Sequence, residues 1–191
     1  IDINHRDKNG KTPLLWSCAE GQPESIKLLL SHEAEFESKD TNGFDALMNV
    51  CSSGNETATE IIIDHGANVN AKSIKQATPL IIALCSGHPL IVKLLLSRGA
   101  DVDQVNDLGE TTLLIACNAK LSEMASILID HGADVNARDN IGNTPIFRSI
   151  GFGDVEMTDL LLSRGANVNI LNSFGASPLH LAALTGDIGL I

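Results

Sequence analysis

No stretch of this 191-residue chain is apolar over the roughly 18 residues that a membrane-crossing helix needs, so membrane insertion is not expected. Basic residues are in short supply. Thirteen Lys and Arg stand against 24 Asp and Glu, a formal charge of −11. Non-specific attachment to phosphate backbones needs clustered cations, so nucleic acid is not an expected partner. No two cysteines have the Cys-x-x-Cys spacing of a zinc site. No phosphate-cradling glycine loop, paired-carboxylate motif or Ser, His and Asp constellation stands out. Asp101, Asp103 and Asp107 resemble the start of a calcium loop. That match breaks at Val105 in a ligand position, Asn106 in place of the obligatory glycine, and Thr112 in place of the terminal Glu. The sequence therefore predicts no catalysis, no metal, no cofactor and no small-molecule substrate.

What is present is a repeat. Shifted by 33 residues, the chain lays the same punctuation over itself: Pro13, Ala46, Pro79, Thr112, Pro145 and Pro178 share one site, followed by Leu14, Leu47, Leu80, Leu113, Ile146 and Leu179. Gly-Ala-Asn/Asp-Val-Asn/Asp returns at Gly66, Gly99, Gly132 and Gly165, with a degenerate copy at Glu33. A period of 20 to 50 residues marks a stacked array, in which each unit buries its apolar side only against its neighbours.

The fifth unit illustrates the local reading. Thr144 is placed to cap a first helix with Pro145 at its first position, where a missing N–H costs nothing. Ile146 and Ser149 point inward, and Gly153 closes the helix in a left-handed conformation. A second helix follows with Leu160, Leu161 and Leu162 as its buried face, ended by Gly165. A turn from Asn172 to Gly175 leads to the next cap, Ser177. Helices this short are marginal alone, so stacking must stabilise them. Cys18, Cys51, Cys85 and Cys117 fall once per unit. Equivalent atoms of stacked helices lie roughly 8–10 Å apart, too far for a disulfide. Small buried thiols in a reducing compartment are expected, and hence a cytoplasmic or nuclear location.

These residues resemble the ankyrin repeat: Gly-x-Thr-Pro-Leu, then Leu-Leu-Leu-x-x-Gly-Ala-Asp-Val-Asn, with Ser177-Pro178-Leu179-His180-Leu181-Ala182 close to the family's Thr-Pro-Leu-His-x-Ala. The resemblance implies an all-α repeat solenoid of stacked helix-turn-helix pairs joined by β-hairpin-like turns. Residues 1–191 then form a single array of about five full repeats, a leading remnant and a truncated sixth. Neither end carries a polar capping unit, so a fragment of a longer chain is expected, with Ile191 inside a second helix. Three departures bear on shape. Glu33 replaces the glycine that ends a second helix. Gln76 replaces a turn glycine, which predicts a turn of different shape. Lys120 replaces the glycine between helices, at a cost of about 1 kcal/mol if the backbone there needs positive φ.

The resemblance also implies a binding face, the concave side made by turns and first helices, and a non-enzymatic scaffold for a protein or peptide partner, acting as a monomer. The alternative is a regulatory or targeting domain of a larger enzyme or channel. Down the turn column the residues run Asn9, Asn42, Lys75, Leu108, Ile141 and Phe174, polar and then apolar. Phe152 and Leu184 share that face on the helices, with Arg148, and Trp16 and Phe44 occupy it near the start. Adjoining exposed apolar side chains mark contact sites, so Leu108, Ile141, Phe152 and Phe174 are the candidate patch. The competing reading has them packed against neighbouring turns. Glu33, Glu35 and Glu37 would share one side of an extended segment, with Asp40 beyond, and Asp103, Asp107 and Glu110 form a second acidic group. Both are read as solvated surface or as a means of steering a basic partner. His32, His65 and His131 recur as solvated loop residues, and His180 is expected to bond the turn backbone. Finally, Leu128 with Asp134-Val135-Asn136 resembles the ankyrin sites at which an asparagine, here Asn136, is hydroxylated.

Overall fold

The computed structural model describes residues 2–186, so the expected helix containing Ile191 lies outside the described residues. Among the described residues eleven helices follow in order: α1 (Pro13–Ala19), α2 (Pro23–Ser31), α3 (Ala46–Ser53), α4 (Glu56–Asp64), α5 (Pro79–Cys85), α6 (Pro89–Ser97), α7 (Thr112–Asn118), α8 (Ser122–Asp130), α9 (Pro145–Gly151), α10 (Val155–Ser163) and α11 (Pro178–Thr185). They are five helix pairs and a sixth first helix, spaced as the period requires. Among the described residues there is no strand, only an isolated bridge between Val105 and Thr111. The chain forms two compact units, residues 1–101 and 102–191. Within the first, α1, α3 and α5 stack in one row and α2, α4 and α6 in another; within the second, α7, α9 and α11 form one row and α8 and α10 the other.

First helices supply most of the core. Leu47, Met48, Val50 and Cys51 of α3 are buried together, as are Leu113, Leu114, Ala116 and Cys117 of α7. Second helices bury a single stripe, Ala58 and Ile62 in α4 and Ile91, Val92 and Leu95 in α6. This geometry corrects the sequence reading of α10. Successive helical residues point 100° apart, so three consecutive leucines cannot share a face. Leu161 is fully buried, while Leu162 is exposed.

The caps follow the sequence except at one place. Thr12, Asp45, Thr78, Thr111 and Ser177 each accept a backbone N–H at the start of a first helix. Thr144 occupies the same site but makes no side-chain cap bond, and its buried hydroxyl has no partner. Glu33, Gln76 and Lys120 all take positive φ, at 58°, 58° and 56°. The turn at Gln76 therefore has the same shape as the others, contrary to expectation: Ser73 N donates to Ala77 O and Gln76 N to Ser73 O. The repeat geometry is kept, and the residue accepts the strain.

All four cysteines are free, but Cys85 is exposed while the other three are buried. Burial, with the Asp45 carboxylate adding to it, pushes the Cys18 thiol up to about 12. No helix of the described residues is long and apolar enough to cross a membrane.

Candidate functional site

Each turn is built by one residue that the period repeats: Asp7, Asp40, Ser73, Asn106, Asp139 and Asn172. In Asp139, Oδ1 accepts the backbone N–H groups of Ile141 and Asn143 at 3.0 and 2.8 Å, which folds the chain back on itself. Asp7, Asp40, Asn106 and Asn172 do the same for their own turns. Neighbouring turns are then tied by backbone bonds, Thr41 N to Asn9 O, Ile74 N to Asn42 O and Ser173 N to Ile141 O. Accepting amide protons holds the Asp7 carboxyl below its ordinary range, although desolvation opposes the shift. The sequence reading missed this column, although the same 33-residue shift displays it.

In Asp7 and Asp139 the spare carboxylate oxygen reaches the first helix. In the second unit, Asp139 Oδ2 accepts from the Arg148 guanidinium at 2.6 Å, and Glu110 Oε1 lies 3.3 Å from the same nitrogen. Glu110 also accepts from Asn106 and Asn118. Arg148 is thus a positioned group between two carboxylates rather than a free cation. Glu110, expected on the acidic surface, is buried in this network. In the first unit Trp16 occupies the site equivalent to Arg148, and its indole N–H donates to Asp7 Oδ2 at 3.1 Å. The Lys11 ammonium sits 5.3 Å from the Trp16 ring centre, close enough for a cation–π attraction.

Models of ankyrin repeats match residues 1–73, 33–106, 80–172 and 154–191. The chain belongs to the ankyrin repeat family. No curated protein matches it. Its structure is similar to the crystal structure of the ankyrin repeat domain of Bcl-3, described as a unique member of the IkappaB protein family. The TM-score is 0.89 and the identity 26%, over 95% of this chain and 82% of that one. Ankyrin repeats generally mediate protein–protein interaction, which the similarity fits.

On this ankyrin framework the apolar residues singled out from sequence are accessible: Leu108 is 65% exposed, Ile141 45%, Phe174 78%, Phe152 47% and Trp16 46%. Phe44 is half-buried. The structure does not gather them all. Leu108, Ile141 and Phe174 occupy successive turns, whereas Phe152 follows the last residue of α9, about 10 Å along that helix from its own turn. Leu184 on α11 is exposed as well. Ile74, overlooked in the sequence because it precedes the turn column by one residue, is 70% exposed.

Other expectations resolve locally. His32, His65 and His131 are exposed, as expected, and each also places Nδ1 on the carbonyl four residues earlier, at 2.8–2.9 Å, closing its second helix. His180 accepts from Ser177 N, completing a capping box. Glu33, Glu35 and Glu37 are exposed, as expected, but their segment is not extended throughout: Glu33 is left-handed and the chain turns at residues 36 and 37. Glu35 instead lies 3.7 Å from Arg6. The Asn136 side chain stitches neighbouring ankyrin loops: its oxygen accepts from Asn167 N at 2.7 Å, and its amide reaches Gly165 O at 3.5 Å. Asn70 makes the same pair of bonds to Asp101 and Gly99.

Proposed function

We propose that this chain is a non-enzymatic binding module that takes a protein or peptide partner on the face made by its turns and first helices, the concave side of an ankyrin array. The observation that carries the reading is the row of apolar turn tips at Leu108, Ile141 and Phe174. Large apolar side chains at turn tips gain nothing for the fold while exposed, and aromatic anchors beside fixed polar groups are what interfaces use. In the same unit Arg148 is a pre-oriented polar group held by Glu110 and Asp139. The family's general role in protein–protein interaction agrees.

The test is a capture experiment from lysate with wild type and the Ile141→Asp/Phe174→Asp double variant side by side. The reading expects a protein retained by wild type and lost by the variant, with an unchanged urea midpoint. Equal retention by both would refute it. A large fall in the midpoint would show that these side chains pack instead.

A further inference from the structure

The overall charge of −11 conceals a local reversal. In the first unit the turn segments 5–11, 38–44 and 71–77 hold six cations, Arg6, Lys8, Lys11, Lys39, Lys72 and Lys75, and only two carboxylates, Asp7 and Asp40. The corresponding segments of the second unit, 104–110, 137–143 and 170–176, hold one cation and three carboxylates. The surplus in the first unit is only partly consumed internally. Only Arg6 has a carboxylate within ion-pair distance, Glu35 at 3.7 Å. Lys11 and Lys39 donate to neutral oxygens, Asn49 Oδ1 at 3.1 Å and Lys72 O at 3.4 Å, and feel the carboxylates of Asp7 and Asp45 without forming an ion pair. Asp7 and Asp40 each spend one oxygen on two turn amides. Lys8, Lys72 and Lys75 are exposed.

Of these lysines Lys75 lines an open cavity of about 250 Å³, together with Phe44, Ile74 and Ala77 among others. Exposed Ile74 forms one side of it, so an apolar surface adjoins a surplus of positive charge.

We propose that the first three turns bind an acidic segment of a protein partner, with an apolar side chain in the Phe44–Ile74 cavity and flanking carboxylates on Lys8, Lys72 and Lys75. This rests on the reading that partners meet the turn face, and it names the chemistry for the first unit. The anion is a carboxylate-bearing peptide and not a nucleic acid, for two reasons. A short peptide feels the local field only, since charges beyond a Debye length of about 8 Å are screened in physiological salt. A long polyanion would also meet the repulsion of a chain whose net charge is −11. Moreover, the one guanidinium present, Arg6, is already committed to Lys39 O and Ser38 Oγ at 2.8 and 2.9 Å, leaving no free planar fork for phosphate.

The experiment measures fluorescence anisotropy of three labelled probes with the full chain: a short peptide alternating Glu and Leu, an all-Glu peptide of equal length, and a single-stranded oligothymidine. The Glu–Leu peptide should bind most tightly and weaken as salt is added. Lys8→Glu/Lys75→Glu should weaken it at least about tenfold, since opposed like charges are strongly disfavoured at an interface. The milder Lys8→Gln/Lys75→Gln should fall between. Among the described residues neither lysine side chain makes a bond, and a circular dichroism melt checks that both variants remain folded. The Ile141→Asp/Phe174→Asp variant should bind the peptide as wild type does. No binding of the Glu–Leu peptide, equal binding by the charge variants, or tighter binding of the oligothymidine would each overturn the proposal. If the peptide fails while lysate capture still depends on Ile141 and Phe174, the acidic-segment proposal falls and the binding-module reading stands.

Discussion

Glu33, Gln76 and Lys120 hold a left-handed backbone where the other repeats carry glycine. A Cβ there costs about 1–2 kcal/mol, partly offset because glycine loses more entropy on folding. Glu33→Gly and Gln76→Gly should therefore each stabilise the chain by about 0.5–1 kcal/mol, read as a higher urea midpoint. Lys120→Gly should gain less, because it also loses the bond from Lys120 Nζ to Phe152 O at 2.9 Å. Glu33 is sterically tolerated: a Cβ built at the equivalent Gly66, Gly99, Gly132 or Gly165 meets nothing within 4 Å. The cysteines divide in the same residue-by-residue way. Cys18, Cys51 and Cys117 are buried and removed from reagent; Cys85 is exposed, although partial burial raises its thiol as it does the other three. A thiol-reactive dye should label one cysteine in the native protein and four in urea, with Cys85 identified by peptide mass. Labelling of all four at one rate would contradict the packing.

At the level of the helix, the Asp45 cap of α3 carries a pH dependence. Burial raises this carboxyl above its ordinary range, against the opposing bond from Met48 N. A raised folded-state value means that the folded chain holds the proton more tightly than the unfolded chain does. The contribution therefore favours folding below the ordinary Asp range and is lost as pH rises through the folded value. Asp45→Asn keeps an effective cap and removes the buried charge. It should raise the urea midpoint at pH 7 and have little effect near pH 3. A variant that is less stable at pH 7 would mean that the charged cap outweighs its desolvation. The helices also show how far local pattern reaches. Pro at the first helical position, the Thr or Asp before it and the closing glycine act within a few residues, so the sequence displays them. Thr144 has the right identity and position yet makes no cap bond, since a hydroxyl's direction depends on what packs around it. Leu160 to Leu162 form a continuous apolar run whose buried member only packing against a neighbouring helix selects.

For the whole molecule, a net charge of −11 on 191 residues is a source of self-repulsion. Raising salt from about 0.01 M to about 0.15 M shortens the Debye length from about 30 to about 8 Å. The urea midpoint should rise over that range. A fall would show that ion pairs such as Arg98–Asp64 and Arg164–Asp130 contribute more than the repulsion costs. The candidate binding face was partly legible at this scale. The apolar drift from Asn9 to Phe174 could be read down a column, and those turn tips are exposed. The fixing of Arg148 by Glu110 could not be read, because 38 residues separate them. The cationic turns of the first unit could be read segment by segment, although an overall acidic composition averages them away.

By itself, the amino-acid order determined the period, the helix pairs, the turns and the family, because dihedral preferences, caps and apolar spacing all act within one repeat. Only the tertiary structure decided which leucine is buried, which thiol is open, which cap is made and which charges are neutralised. Those outcomes depend on distances between groups remote along the chain, and such distances exist only once the repeats have stacked.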